Sequence, residues 1–504
     1  MTNEILTPAE MGQADQATIK AGVHNGYRLM RNAGGAITRH LLRHHGDATE
    51  FHILCGPGNN GGDGYVVADI LKSSGASVSL WESSRPTPGT DAALAAKDCP
   101  VEVQDIAGFK PTPGSVIVDA LFGAGLNREV MGNVAAAIRL ANASDCSRIA
   151  IDVPTGVDGL TGQVLGTAFH AHTTITFFRK KPAHLLYPGR TLCGNLIVAE
   201  IGIGDDVLNS IQPQCFENTP ALWQSQLPET AENTHKYARG HVVAFSGGAT
   251  STGAARMSAL AAARSGAGAV TILSPEEALA ANAAHLTSIM LHKCENRHDL
   301  ASFTETRKVA AFVLGPAFGI GDKAREFALT LLSETHAGLV FDADVITSFK
   351  DDRETLFDMT AKSGDIRLVL TPHEGEFKRL FPELSETNTP SKVERARTAA
   401  KFAHAIVIYK GADTVIASPD GRAAINANGT PFLATAGSGD VLAGLTAGLM
   451  SQGMPAFEAA CAAVYVHGAA AHELGFGLIA EELPATAGKI IGLLFANKAL
   501  SDFH

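Results

Sequence analysis

The sequence predicts a two-domain α/β protein, and three observations predict it. Short apolar, β-rich runs alternate with helical patterns along both halves of the chain. Each half carries a glycine cluster that opens a helix, Gly56–Gly64 in the first and Gly437–Gly439 in the second. Between the halves, residues 205 to 233 are mixed polar, hold Pro213, Pro220 and Pro228, and show no sustained period. The length of 504 residues suits two large domains, and 45% apolar against 18% charged residues excludes wholesale disorder. Lys and Arg number 40 against 51 Asp and Glu, a net −11, which argues against a non-specific nucleic-acid binder or a polybasic membrane anchor. The seven cysteines are odd in number and contain no CxxC pair, so neither a disulfide framework nor a zinc knuckle is indicated. MTNEILTPAE lacks the basic-then-apolar order of a signal peptide, and no apolar run reaches the ~18 residues of a membrane span. A soluble cytoplasmic chain with neither membrane nor nucleic-acid partners is expected.

The elements follow in order. Thr7, Pro8 and Glu10 form a capping box and first turn for an opening helix, and a second helix is expected over Tyr27–Leu42. Strands are expected at Phe51–Cys55, Val78–Trp81, Val116–Asp119, Ile149–Val153, Thr173–Phe178 and Leu196–Ile201, with helices at Val66–Leu71 and Val134–Leu140. The second half offers strands at Val242–Phe245, Val270–Leu273, Val309–Leu314, Leu339–Phe341, Leu368–Leu370 and Ala405–Tyr409. It ends in the Ala-rich helices Val441–Met450 and Ala456–Glu473.

Strand Phe51–Cys55 runs into GPGNNGGDG, where Gly56, Gly58 and Gly61 satisfy GxGxxG and Glu82 lies at the end of the next strand. That is a dinucleotide fingerprint in outline, with glycines for close approach and a helix N-terminus for an anion. Asn59, Asn60 and Asp63 depart from it: a carboxylate beside a pyrophosphate repels it unless the acid does chemistry or holds a cation. Two further strand-end loops, VDALFGAGLNRE with Asp119 and IDVPTGVDG with Asp152, Thr155 and Asp158, put more acids beside glycine on the same edge. Singly each acid reads as a cap or turn residue. Together they indicate a site.

CGPGNNGGDGYVVA, VDALFGAGLNRE, AIDVPTGVDG and KKPAHLLYPGR closely resemble the N-terminal domain of the NAD(P)HX epimerase family, over residues 1–218. The resemblance implies a Rossmann-like three-layer sandwich. It implies that Asn59, Asn60, Gly61, Gly62 and Asp63 bind the hydrated nicotinamide nucleotide. Gly123, Ala124, Gly125, Leu126, Asn127, Arg128 and Glu129 would cradle its phosphate or ribose. Asp152 would contact the reacting ring and act as proton donor or acceptor, and Asn60, Asp119 and Thr155 would hold K+. The family usually has Ser at position 155; the hydroxyl is kept.

In the second half, Gly437 and Gly439 of TAGSGDVLAGL open an apolar helix as an anion-binding nest, with Asp440 in its first turn. An acid there is either a helix cap or the base that a phosphoryl-transfer site sets against an acceptor hydroxyl. KGADT, Lys410 to Thr414, is a polar turn suited to nucleotide phosphates, and TPHEGEF places His373 after a strand. With HKYARGHV and Ser246–Met257, these motifs resemble the ribokinase-like fold, and more closely its ADP/ATP-dependent NAD(P)HX dehydratase branch, over residues 228–504. The resemblance implies nucleotide binding by Lys410, Gly411, Ala412, Asp413, Thr414, Gly437 and Gly439. Ala254, Gly319, His373 and Asp440 would surround the hydrate, with Asp440 catalytic. Two positions depart from the family: Ala317 stands where Gly is common, and Thr347 where Asn is.

The joint expectation is a nicotinamide-nucleotide repair enzyme. One domain would epimerise R and S NAD(P)HX; the other would dehydrate the S form with ADP or ATP, Mg2+ accompanying the nucleotide. A homo-oligomer is expected. The alternative is a dinucleotide-binding dehydrogenase fused to a small-molecule kinase, resting on GxGxxG–Glu82 and GSGD.

Overall fold

The computed structural model describes residues 3–228, 236 and 239–501, with side chains through residue 496. His235, Tyr237 and Ala238 of HKYARGHV therefore lie outside the described residues, as do residues 229–233 of the expected join. Contacts divide the chain into two compact units after Gln214.

The first unit is built on seven parallel strands: β1 Phe51–Cys55, β2 Val78–Glu82, β3 Val103–Asp105, β4 Val116–Ala120, β5 Ser147–Ile151, β6 Thr173–Phe177 and β7 Asn195–Ala199. Their order is β3-β2-β1-β4-β5-β6-β7. β1 and β4 are buried along their whole length, because helices cover both faces. Ile53, Val66, Ile37 and Val118 pack on one face; Leu54, Ile117, Ile138 and Phe169 pack on the other. This is the three-layer sandwich. Three helices matter to the site: α1 Pro8–Lys20, α2 Gly26–His44 and α3 Asn59–Ser73. The expected capping box forms: Thr7 Oγ1 accepts from Glu10 N at 3.2 Å, and Glu10 Oε2 accepts from Thr7 N at 2.8 Å. The sheet order reverses between β1 and β4, and ligands of open α/β sheets bind beyond the C-terminal ends of strands at such a point.

The second unit adds ten strands: β8 Cys215–Glu217, β9 His241–Phe245, β10 Ala269–Ser274, β11 Met290–Lys293, β12 Ala311–Leu314, β13 Gly338–Phe341, β14 Leu368–Leu370, β15 Ile406–Tyr409, β16 Val415–Ala417 and β17 Ala423–Ile425. The order is β11-β10-β9-β12-β13-β14-β15-β16-β17-β8. It is parallel through β15, then antiparallel across β15–β16 and β16–β17. The stretch expected as a bare join therefore contributes a strand: β8 pairs in parallel with β17. Three helices bear on its site, α4 Gly253–Arg264, α5 Glu374–Leu380 and α6 Ser438–Ser451, and the expected Ala-rich helix α7 Ala456–Leu474 follows them. α6 is apolar because it is buried almost throughout. α4 fits against it so closely that a Cβ on Gly444 would lie 2.1 Å from the Ser258 carbonyl oxygen. All seven cysteines are free thiols.

Candidate functional site

In the first unit, the loops after β1, β4 and β5 meet α1 and α2 around a cavity of about 620 Å³. Asn59, Asn60, Asp63, Gly123, Ala124, Gly125, Leu126, Asn127, Arg128 and Asp152 line it, as expected of ligand-facing residues. Gly61, Gly62 and Glu129 are not on its wall. Gly61 is a packing residue: a Cβ there would fall 1.9 Å from the Gly56 carbonyl oxygen, and one on Gly62 would strike Met30. α3 begins at Asn59 with no side-chain cap, so its first N–H groups are left for a ligand.

Asp152 is the most constrained residue of this site. Its φ of 63° is left-handed, a costly conformation for a residue with a Cβ. The surroundings enforce it. His184 Nδ1 accepts from Lys181 N at 2.8 Å, so its Nε2 carries the proton and donates to the Asp152 carbonyl, also at 2.8 Å. Burial pushes His184 down to about 4, and the ring stays neutral. The Asp152 carboxylate meets Lys181 Nζ at 2.8 Å and accepts from Thr176 Oγ1 and Ala124 N, each at 3.0 Å. Burial opposes its ionisation, but Lys181, aided by the Ala124 amide, outweighs burial and brings it down to about 2. Asp152 is thus an oriented carboxylate. Gly123 keeps the space beside it clear: a Cβ would lie 2.9 Å from Asp152 Oδ2 and 3.0 Å from Asn60 Oδ1.

Asp119 lies behind the cavity wall. Fully buried, it accepts from Thr155 N and Thr155 Oγ1, each at 2.7 Å, and from Leu121 N at 3.2 Å. Burial, outweighing these bonds, raises it to about 6. Asn60 Nδ2 is buried without a partner. Asp158 is a turn residue, accepting from Leu160 N and Thr161 N. Glu82 receives the Tyr65 hydroxyl at 2.5 Å and sits 3.6 Å from Arg85, so the acid of the dehydrogenase alternative is already engaged and off the cavity. Lys181, Thr176 and Asp15 have no role among the sequence expectations. Lys181 stood inside a quoted motif, whereas Asp15 carried no signal beyond being an acid on an amphipathic helix.

In the second unit, strand ends and one helix start gather a charged cluster. Lys410, at the end of β15, contacts Asp342, at the end of β13, at 2.8 Å. A Cβ on Gly439 would lie 3.5 Å from Lys410 Nζ and 3.6 Å from Asp342 Oδ2, so these groups face the first turn of α6. Burial works against the Lys410 charge, but Asp342 and Glu376 hold its ammonium above the usual range. Asp440 decides between the two readings offered for it. No side chain caps α6, and no bond to the Asp440 carboxyl exists among the described residues, so it is not a helix cap. Burial, and then Asp342 against the pull of Lys410, raises it to about 6. Its backbone is held by Ser258, whose hydroxyl donates to the Asp440 carbonyl at 2.8 Å. Gly437 caps α6 at φ 89°, and a Cβ there would press within 2.6 Å of Met257 Cε.

The other expected residues are placed less centrally. His373 is the N-cap of α5: Nδ1 accepts from Gly375 N at 2.9 Å and Glu376 N at 3.3 Å. Asp413 is held by Lys392 at 2.6 Å, and the Thr414 hydroxyl folds back onto the Gly411 carbonyl at 2.9 Å, which closes the turn holding Ala412. Ala254 stands in the first turn of α4, and Gly319, at φ 104°, donates to Asp344 Oδ2 at 2.9 Å. Ala317 has φ 52°, which accounts physically for the glycine common at that position. Asp342, which directly follows β13, has no role among the sequence expectations.

Comparison with known proteins bears on both units. A family model described as NAD(P)H-hydrate dehydratase matches residues 242–491, and one described as YjeF-related protein N-terminus matches residues 26–183. The bifunctional NAD(P)H-hydrate repair enzyme of Moorella thermoacetica is 35% identical, across 93% of this chain and 92% of the relative. The chain belongs to the bifunctional NAD(P)H-hydrate repair enzymes. The Escherichia coli member is 31% identical over 92% of this chain and 89% of its own. The ADP/ATP-dependent NAD(P)H-hydrate dehydratase of Bacillus subtilis, co-crystallised with ATP and Mg2+, aligns at TM-score 0.45 and 24% identity, covering 56% of this chain and 98% of that one. As a member of this family the protein is a repair enzyme with epimerase and dehydratase activities.

Proposed function

We propose that the cavity around Asp152 carries out the epimerisation, that the cluster around Asp440 carries out the nucleotide-dependent dehydration, and that the domains run over residues 1–218 and 228–504. The observation that carries this reading is Asp440: half-buried, without a hydrogen-bond donor, beside the open N-terminus of α6. A carboxyl so placed takes the proton of an acceptor hydroxyl while the helix N–H groups hold the phosphoryl group. Here the acceptor is the ring hydroxyl of S-NAD(P)HX. The γ-phosphoryl of ATP, or the β-phosphoryl of ADP, passes to it. Phosphate then leaves with the C–O electron pair, the ring nitrogen lone pair forms C=N, and loss of a proton from the adjacent carbon restores NADH or NADPH. The Lys410–Thr414 turn, Gly437 and Gly439 hold the nucleotide, and Ala254, Gly319 and His373 border the hydrate. In the epimerase cavity, Asn59, Asn60 and Asp63, with Gly123 to Arg128, hold the nucleotide of either epimer, while Gly61 and Gly62 shape the turn behind them and Glu129 lies off the wall.

A K+ ion fits Asn60, Asp119 and Thr155, because the set supplies oxygen donors and, among the described residues, no basic side chain compensates the buried Asp119. Bound there it would supply positive charge close to the ligand's phosphates. Mg2+ fits differently. No group of three His, Cys, Asp or Glu among the described residues is arranged to hold a metal, so Mg2+ would enter with the nucleotide phosphates and one or two carboxylates. The proposed setting is cytoplasmic, supported by seven free thiols and by the absence, among the described residues, of a helix long and apolar enough to cross a membrane. The proposed assembly is a homo-oligomer.

The test is Asp440→Asn in the full-length chain. Dehydration with ADP or ATP should fall by roughly 10²–10⁴ while epimerisation persists. Parallel loss of both activities in a folded variant would show the assignment to be wrong.

A further inference from the structure

One face of α1 forms a wall of the epimerase cavity: Pro8, Met11, Gly12 and Asp15 follow the i, i+3, i+4, i+7 spacing of a helix stripe. Asp15 is the one ionisable group on that stripe. Lys181 faces it from the loop after β6, Asp152 from the end of β5 and Asp63 from α3, with Asp91 and Arg128 on the same cavity wall. The carboxyls differ in how they are held. Asp152 is fixed by Lys181, Thr176 and Ala124, whereas Asp15 and Asp63 receive no hydrogen bond from any described residue. Polar groups facing a cavity without protein partners are those left for a ligand to satisfy.

We propose that Asp15 is the second proton-transfer group of the epimerase, working with Asp152 on the hydrated carbon of the nicotinamide ring. The proposal rests on the reading of the N-terminal unit given above. Asp63 is a poorer candidate, since burial and the neighbouring Asp152 and Asp15 hold its carboxyl well above the usual range and its proton stays in place. Burial, opposed by Lys181 and aided by Asp152, brings Asp15 to about 6, where a proton is readily exchanged near neutral pH. Asp152 is ionised throughout that range. Environments that push two carboxyls apart in this way assign an acid and a base.

The step balances within the cavity. The hydroxyl takes the Asp15 proton and leaves as water with the C–O electron pair, and the ring nitrogen lone pair forms a C=N bond. Water adds to the opposite face of this flat cation, the C=N electron pair returns to nitrogen, and the surplus proton goes to Asp152. That proton passes on to Asp15, which binds it more tightly, and the starting charge state is restored. Reversal of the same steps converts the other epimer.

The measurement is epimerisation of purified R and S substrate by full-length wild type, Asp15→Asn and Asp15→Glu as a function of pH. Asp15→Asn should lower kcat by roughly 10²–10⁴ with KM little changed. Because the acid must be protonated, wild-type kcat/KM should fall as pH rises through about 6, and this limb should vanish in Asp15→Asn and return in Asp15→Glu. An Asp15→Asn enzyme that keeps the wild-type rate and limb overturns the proposal, as does an Asp15→Glu enzyme no faster than the Asn variant. Wild type that interconverts neither epimer contradicts the parent reading instead.

Discussion

Lys181 and Asp152 carry the electrostatics of the epimerase cavity. Lys181 is 2% exposed, and Asp152 provides its carboxylate contact at 2.8 Å. Replacing Lys181 by Met leaves the Asp152 charge buried beside Asp63 and Asp15, and breaking such a pair costs about 3–5 kcal/mol. The expected result is a lower denaturation midpoint for Lys181→Met together with weak epimerisation. Asp152 also links stability to pH. Its carboxyl is lowered from 3.8 to about 2, so its contribution is complete above pH 4 and is lost as pH falls from about 4 to about 2. Acid titration of Asp152→Asn should lack that part of the transition. Asp152 and Asp440 were legible in the sequence because each is an acid beside glycine at the end or start of an element. Asp15 was not, since its meaning comes from which face of α1 meets the cavity, and Lys181 is defined by a carboxylate 29 positions earlier in the chain.

At the scale of elements, turns and helix starts carry the strain. Ala317 adopts a left-handed conformation in the loop after β12, which costs an L-residue roughly 1–2 kcal/mol. Ala317→Gly should therefore raise the urea midpoint by the equivalent of about 1 kcal/mol, partly offset by the added chain entropy of glycine. Gly437→Ala should do the reverse and weaken nucleotide-dependent dehydration, because φ 89° and the approach to Met257 leave no room for a methyl group at the start of α6. The helices Asp322–Glu334, Lys392–Ala403 and Leu483–Ser501 were not anticipated, but most strands of four or more residues were readable from their apolar runs. β16, β17 and β8 were not: each is three residues long, too short to show a pattern, and each exists because a neighbouring strand pairs with it. His373, read as a ligand-facing residue, also caps α5 with its ring, a role that depends on backbone geometry not visible in TPHEGEF.

For the whole molecule, a net charge of −11 and anionic substrates coexist because anions would be held by backbone N–H groups at α3 and α6 rather than by a basic surface. The acidic excess enters the sites themselves, at Asp15, Asp63 and Asp152 in one unit and at Asp342, Glu376 and Asp440 in the other. With Asp440 as the proposed base, dehydration should rise with pH through about 6, opposite in sign to the epimerase limb proposed for Asp15. The most direct measurement follows the R and S epimers of NADHX separately, with and without ADP or ATP, in K+ buffer. The account predicts that each epimer yields the other without nucleotide, and that with nucleotide both end as NADH, with recovered reduced-nicotinamide absorbance and one orthophosphate per turnover. Accumulation of a stable phosphorylated product, or no conversion of either epimer under any nucleotide condition, would contradict it.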